Sequence, residues 1–179
     1  MSAKTLNGRA HRYGKNVDTD VIIPGKYCSI TDPTELGKHA LEGLDPDFAS
    51  KVKSGDLIVA ETNFGCGSSR EVAPIAIKGA GVAGVIAKSF ARIFYRNALN
   101  IGLPIFESPQ AVDDIVSGDE IEVEPASGTI RNKTRGHDYQ AAAFPPFMQS
   151  LIDAGGLQAY VEQRLAHQAA EAKGTSKEP

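Results

Sequence analysis

The chain has 179 residues, of which 41% are hydrophobic and 23% are charged, and its formal net charge at pH 7 is −3. This composition is typical of one globular domain, and it argues against a disordered chain and against a basic nucleic-acid binder. Without an apolar run long enough to cross a bilayer, or a signal-peptide core at the N-terminus, we expect a cytoplasmic protein that binds no membrane.

The first part of the chain alternates between predicted strands and helices. Residues 4–13 predict a strand, and Val21-Ile22-Ile23 predicts a short buried strand stopped by Pro24-Gly25. Asp32 and Pro33 predict the cap and first residue of a helix that ends by Gly43. The elements predicted next are a helical turn at 45–50, a strand at 56–61, a helix at 70–79, a strand at 82–87, a helix at 89–99 and a strand at 103–105.

The second part of the chain changes character. Residues 119–123 alternate charged and apolar side chains, and Ser127-Gly128 turns this strand into a hairpin with 129–131. Helices are predicted at 147–153 and 156–171, separated by Gly155-Gly156. Together with the earlier alternation, these elements predict an α/β fold with a mixed, partly parallel sheet covered by helices. We expect one domain over residues 1–173 and a disordered tail over 174–179.

The segment from Asn63 to Glu71 connects a predicted apolar strand to a predicted helix. It reads Asn-Phe-Gly-Cys-Gly-Ser-Ser-Arg-Glu, and so places Ser68, Ser69 and Arg70 beside two glycines. A Gly-rich turn that opens a helix directs backbone amides at an anion, and arginine suits a carboxylate or phosphate. A tight turn with a serine N-cap would explain one serine, but not the whole combination. The segment therefore indicates an anion-binding or catalytic site.

The cysteines and a second glycine-rich stretch limit the cofactors. Cys28 and Cys66 are the two cysteines, which is too few to ligate an iron–sulfur cluster or a structural zinc without other ligands. Residues 79–84 match the glycine spacing of a dinucleotide-binding motif, but they close a predicted helix rather than open one. We expect no metal and no nucleotide bound by this chain alone.

Three segments together carry a resemblance to a known family. They are residues 16–27, 63–71 and 87–97, which include Asn-Val-Asp-Thr-Asp, Gly-Ser-Ser-Arg-Glu and Ser-Phe-Ala-Arg-Ile-Phe-Tyr-Arg-Asn. Their order and spacing resemble the small, swivelling subunits of aconitase-superfamily hydro-lyases, and most of all those of the 3-isopropylmalate dehydratases. The resemblance covers residues 5–165 and implies a compact three-layer α/β/α swivel domain.

The resemblance also implies a partner, a cofactor and a substrate. The active site would lie at the interface with a separate large subunit that holds a [4Fe-4S] cluster, whose open iron acts as a Lewis acid on the substrate hydroxyl. No cofactor would be bound by the small subunit alone. The implied reaction isomerises isopropylmalate by dehydration and rehydration, in leucine biosynthesis.

Site residues follow from the same resemblance. Ser68 matches the serine base that takes a proton from the carbon next to a carboxylate, with Arg70 and helix N-terminal amides stabilising its alkoxide. Ser69 and Arg70 match positions that hold a substrate carboxylate. Asp20 matches an aspartate that orients polar partners near the site, and its alternative role is a turn cap.

Two positions depart from the family pattern. Val72 stands where the family usually has histidine, which is either neutral repacking or a change in loop geometry. The loop of Tyr27, Cys28, Ser29 and Ile30, which helps to choose the substrate side chain, has Ser29 where arginine is usual. Cys28 would face substrate or fill a small apolar space. The alternatives are thus a dehydratase for 2,3-dimethylmalate, citramalate-type or homocitrate-type acids, and a non-catalytic module.

Overall fold

A single mixed sheet organises the part of the chain that the computed structural model describes, residues 4–174. Its strand order is β4-β3-β2-β1-β5-β6-β7. The strands are β1 (Leu6–Tyr13), β2 (Leu57–Ala60), β3 (Gly84–Ala87), β4 (Ile105–Glu107), β5 (Glu120–Glu124), β6 (Thr129–Asn132) and β7 (His137–Gln140).

Four strands, β1 to β4, form a parallel half-sheet. Ala10 of β1 lies opposite Leu57 of β2, and Val59 of β2 lies opposite Ile86 of β3. Every residue of β2 and β3 is buried. Unbroken apolar strands of this kind are typical of parallel sheets that are covered on both faces.

The other half of the sheet is antiparallel and begins on β1 as well. Leu6 of β1 lies opposite Val123 of β5, and β5, β6 and β7 follow one another as antiparallel neighbours. In β5 the buried residues alternate with residues that are more exposed, as the sequence predicted. Because β1 pairs with β2 through its second half and with β5 through its first, it joins the two halves of the sheet.

Helices cover both faces of the sheet. On β1, the rings of His11 and Tyr13 contact Phe48 of α3, with centroids 5.2 and 6.3 Å apart. Arg12, which points to the opposite face, donates to the carbonyl of Ile115 at the end of α6. The helices are α1 (Thr19–Ile22), α2 (Pro33–Gly37), α3 (Phe48–Lys51), α4 (Val72–Gly79), α5 (Arg92–Asn100), α6 (Pro109–Asp114), α7 (Pro146–Ala154) and α8 (Leu157–Gly174).

This architecture confirms the predicted α/β class and mixed sheet. The predicted strand Val21-Ile22-Ile23 is wrong, because Asp18 caps helix α1 there by accepting from the amide of Asp20 at 2.6 Å. Both Ile22 and Ile23 are nevertheless buried. No helix among the described residues is long and apolar enough to span a membrane.

Several boundaries also differ from the predictions. Helix α2 ends at Gly37 and turns follow it, and β4 begins at Ile105 rather than at Leu103. The sequence did not predict α6 or β7, which are short, and β7 is largely exposed. Gly174, the first residue of the predicted disordered tail, ends α8, and 175–179 lie outside the described residues.

Candidate active site

The candidate site lies where the chain leaves two neighbouring strands. The carboxyl ends of the parallel strands β1 and β2 meet at one edge of the sheet, so the segments that follow them are neighbours. The amide of Thr19 donates to the carbonyl of Cys66 at 2.8 Å, and the amide of Gly65 donates to the carbonyl of Val17 at 2.8 Å. These bonds hold residues 61–71, which we call the serine loop, against the start of α1.

Thr19 positions the backbone of the serine loop. Its hydroxyl donates to the carbonyl oxygen of Ser68 at 2.9 Å, and the residue is only 2% exposed. Ser68 and Ser69 are exposed. Within the described residues, neither serine hydroxyl has a hydrogen-bond partner. Both hydroxyls are therefore available to a substrate.

Two glycines let the serine loop approach its neighbours closely. Gly65 and Gly67 have φ values of +79° and +89°. A Cβ on Gly65 would lie 2.2 Å from the ring of Phe94, and one on Gly67 would lie 2.2 Å from an oxygen of Asp18. The glycines that the sequence singled out are therefore required by both backbone conformation and packing.

Arg70 and Asp20 form an ion pair beside the serine loop. Arg70 also donates from Nη1 to the carbonyl of Ile23 at 2.9 Å, and its side chain is 23% exposed against 57% for Asp20. A guanidinium has five N–H donors, so donors remain for a carboxylate ligand. Asp20 therefore pairs with Arg70. The capping role that the sequence offered as an alternative for Asp20 belongs instead to Asp18, which caps α1.

The start of α4 offers fewer amides to an anion than the sequence predicted. The helix begins at Val72, and Pro74 in its first turn has no N–H. The amide of Arg70 already donates to the carbonyl of Ser68 at 2.8 Å, and that of Ala73 donates to the carbonyl of Arg70 at 3.2 Å. The start of α4 therefore adds little positive charge to the site, and the Arg70 side chain supplies a full one. Val72 packs against the core, which fits the neutral-repacking interpretation of this position.

Gly25, two residues before the loop of Tyr27 to Ile30, lies beside the site. A Cβ on Gly25 would lie 3.5 Å from Nη2 of Arg70, so the backbone here passes directly beside the guanidinium. The Tyr27 hydroxyl, in contrast, donates to Glu42 at 2.8 Å, and its ring stacks on His39 with centroids 3.7 Å apart. The other residues of the predicted substrate loop are the exposed Cys28 and Ser29 and the half-buried Ile30.

Sequence reasoning assigned no role to the first turns of α5, which flank the serine loop. Arg92 and Arg96 line a surface depression of about 500 Å³ together with Gly65 and Gly67. The segment 87–97 contributed to the resemblance, but only the folded chain shows that it borders the serine loop. Sequence reasoning also missed Thr19, because its contact with the serine loop is visible only in the folded chain.

Comparison with known proteins gives a consistent result. The aconitase C-terminal domain family matches residues 45–110, which include the serine loop. The chain is 58% identical over 160 residues to the 3-isopropylmalate dehydratase small subunit of Moorella thermoacetica, covering 89% of this chain and 96% of that protein. It belongs to this small-subunit family. Within the aconitase superfamily, the small-subunit names imply a large-subunit partner, and the relatives imply an iron–sulfur cluster in the enzyme complex.

Two further members of the superfamily are informative. A crystal structure of 3-isopropylmalate dehydratase from Methanocaldococcus jannaschii matches with a TM-score of 0.88 and 45% identity, covering 94% of this chain and 99% of that one. The 2,3-dimethylmalate dehydratase small subunit of Eubacterium barkeri is 61% identical over 161 residues, covering 90% of this chain and 97% of that protein. The fold is thus that of the dehydratase small subunits, whose members carry more than one substrate name.

The side chains of this small subunit do not fit an iron–sulfur cluster. The thiols of Cys28 and Cys66 are both free, one exposed and one half-buried. Burial, together with the Asp18 carboxylate, raises the pKa of the Cys66 thiol and so disfavours the thiolate that a metal requires. No group of three or more His, Cys, Asp and Glu side chains in the described part of the chain could hold a metal ion.

Proposed function

We propose that this chain is the small subunit of a hydro-lyase that interconverts 3-isopropylmalate and 2-isopropylmalate, in leucine biosynthesis. The observation that carries the proposal is the exposed pair Ser68 and Ser69 beside the Arg70–Asp20 ion pair, at the joined ends of β1 and β2. Relatives that bear the isopropylmalate dehydratase name at 55–60% identity support the substrate.

In the proposed reaction, Ser68 acts as the base. Its deprotonated Oγ takes the proton from the carbon next to a substrate carboxylate, and the hydroxyl leaves the neighbouring carbon as the double bond forms. Rehydration of this unsaturated acid in the opposite sense, with the proton returned by Ser68, moves the hydroxyl to the other carbon. Arg70 and Ser69 hold a carboxylate, and the positive charge of Arg70 favours the alkoxide over the neutral serine.

We infer that a large subunit completes the site and holds the [4Fe-4S] cluster. The two cysteines of this chain do not fit the cluster, and the serine loop is exposed and so accessible to a partner. When bound, the cluster would supply a Lewis acid for the departing hydroxyl. Free thiols agree with a reducing cytoplasm as the location of the complex.

A second candidate substrate is 2,3-dimethylmalate. The 61% identical relative from Eubacterium barkeri bears this substrate in its name. Ser29, four residues after the Gly25 that lies beside Arg70, lacks the charge that the family usually places there. A loop without this charged contact is consistent with a hydroxy acid other than isopropylmalate.

The first prediction concerns Ser68→Ala in the complex with the large subunit. Because the base is lost, we expect turnover of isopropylmalate to fall about 10²–10⁴-fold while the subunits still associate. Ser50→Ala is the matched control, since Ser50 is a solvent-facing serine of α3 that bonds only the carbonyl of Asp47. Turnover is measured anaerobically from the ultraviolet absorbance of the unsaturated acid.

The result also separates the alternatives. Unchanged turnover in Ser68→Ala would refute the role of Ser68, and the absence of turnover with any acid, in an intact complex with its cluster, would favour a non-catalytic module. Isopropylmalate, 2,3-dimethylmalate, citramalate and homocitrate are offered in parallel. Preference for dimethylmalate would replace the proposed substrate and direct attention to Ser29.

A further inference from the structure

One face of α5 is exposed although it carries an apolar side chain. Arg92, Ile93 and Arg96 fall within about 100° of the helix circumference, and Ile93 is 50% exposed. The opposite face of the same helix buries Phe94 and Ala98. The arginines and Ile93 are therefore not needed for the core, and we call these three residues the α5 face.

The two arginines of the α5 face have no anionic partner. Among the described residues, Arg92 and Arg96 form no ion pair or hydrogen bond, whereas Arg12, Arg70 and Arg131 are all paired. Spaced four residues apart on a helix, the two guanidiniums are neighbours. They form a local patch of positive charge on a chain whose net charge is −3.

A buried donor beside the arginines also lacks an acceptor. The Nδ2 atom of Asn97 is buried and has no hydrogen-bond partner within the described residues. Asn97 and Arg96 line a depression of about 360 Å³ with Ser69 and Ile93, and Glu71 and Asn100 complete its wall. A buried donor without a partner is destabilising, so an acceptor brought by a bound surface would be stabilising.

The α5 face is continuous with the candidate active site. Gly65 and Gly67 border Arg92 and Arg96 on one side, and Ser69 borders Arg96 on the other. A partner that covers the serine loop also approaches the α5 face, because residues of both line the same two depressions. Burying Ile93 and neutralising the arginines is what a partner at this position would accomplish.

We propose that the α5 face is a docking surface for the large subunit, which places a carboxylate against Arg92 and Arg96 and an apolar side chain against Ile93. This inference rests on the proposed function, because it takes the subunit that completes the serine loop as the occupant. A second copy of this chain is disfavoured, since a two-fold contact through this face would oppose arginine to arginine.

The test is an anaerobic titration of the cluster-loaded large subunit with this chain. We expect the double variant Arg92→Glu and Arg96→Glu to raise the Kd at least about 10-fold. The wild-type Kd should rise with added salt, and that dependence should be weaker in the double variant. Ile93→Asp should also raise the Kd. This variant tests the same surface if the double variant proves too unstable for the measurement.

Arg164→Glu is the matched control, because Arg164 is an exposed arginine of α8 whose hydrogen-bond partner is the neutral Tyr160. It should keep the wild-type Kd. An equal loss of affinity in Arg164→Glu would show that only overall charge matters and would overturn the inference. So would a wild-type Kd in both the double variant and Ile93→Asp.

The titration and the turnover assay together distinguish the two proposals. If wild-type complexes turn over substrate but the α5 variants bind normally, the docking surface is wrong and the proposed function stands. If Ser68→Ala retains full turnover while the α5 variants bind weakly, the docking surface stands and the role of Ser68 is wrong. If the wild-type chain does not bind the large subunit at all, both fail.

Discussion

Gly67 places the serine loop against the side chain of Asp18, where a Cβ would lie 2.2 Å from a carboxylate oxygen. We expect Gly67→Ala to destabilise the protein by about 2–5 kcal/mol, because it combines a left-handed backbone strain with overpacking. Gly118→Ala is the matched control, since Gly118 has a similar φ of +94° but a Cβ there would meet nothing within 4 Å. Gly118→Ala should lower the free energy of unfolding by only about 1–2 kcal/mol.

Urea denaturation of both variants measures the difference, and turnover in the complex should fall in Gly67→Ala alone. Equal losses of stability would mean that backbone strain, and not the contact with Asp18, accounts for the glycine.

For individual residues, the sequence predicts the type of site but not which side chains contact one another. The run of Ser68, Ser69 and Arg70 after two glycines indicates an anion site without any structure. That Asp20 pairs with Arg70 while Asp18 caps α1 could not be read from spacing, because these residues are about fifty positions apart and meet only when β1 and β2 pair. Thr19, between two more conspicuous aspartates, is found only through its bond to Ser68.

Elements with long or unbroken hydrophobic patterns were predicted well, and short ones were not. The strands around β2 and β3 and the helices α4 and α5 were located within a few residues. Val21-Ile22-Ile23 fits a buried strand or a buried helix equally, and the decision depends on the Asp18 cap. The polar β7 offers no hydrophobic alternation, so nothing in its sequence distinguishes a strand from a loop.

Asp56 joins β1 to the turn that precedes β2. It is 5% exposed and accepts hydrogen bonds from the ring of His11 at 2.8 Å, from the amide of Lys53 at 2.9 Å and from the amide of Arg9 at 3.0 Å. Burial by itself acts to raise the pKa of this carboxyl. The hydrogen bonds from His11, Lys53 and Arg9 outweigh burial and lower its pKa below the ordinary value.

A lowered pKa stabilises the folded protein while the carboxyl is ionised. This contribution is complete above the ordinary aspartate pKa of about 4 and is lost as the pH falls through the lower folded value. Asp56→Asn should therefore lower the free energy of unfolding at pH 7 by about 1–3 kcal/mol and flatten its decline in acid. Asp47→Asn, at a side chain that is 77% exposed, should leave the curve unchanged. Parallel curves for wild type and Asp56→Asn would contradict the assignment.

On the scale of the whole molecule, one arginine connects layers that are distant in sequence. Arg12 of β1 donates to the carbonyls of Val112 and Ile115 at α6 and forms an ion pair with Glu61 after β2. Arg12→Met should lower the free energy of unfolding by about 1–3 kcal/mol, because it leaves these half-buried acceptors unpaired. Arg131→Met, at a side chain that is 47% exposed on β6, should cost less than about 1 kcal/mol. Similar losses in the two variants would show that Arg12 does not tie the layers together.

The alternation of strands and helices was sufficient to predict the class of the fold, but the strand order was not predictable. Nothing local in residues 6–13 shows that this strand will have a parallel neighbour on one side and an antiparallel neighbour on the other. That outcome depends on which buried faces remain to be covered after the parallel half has formed.

The position of β1 has a consequence for how the protein is made. The strand leaves the ribosome before the other strands of the sheet, yet Leu6 pairs with Val123, which is synthesised more than a hundred residues later. Contacts so distant in sequence slow folding, and an unpaired strand edge is prone to associate with other chains. The first half of the central strand therefore stays unpaired in the nascent protein until the β5–β6 hairpin has emerged.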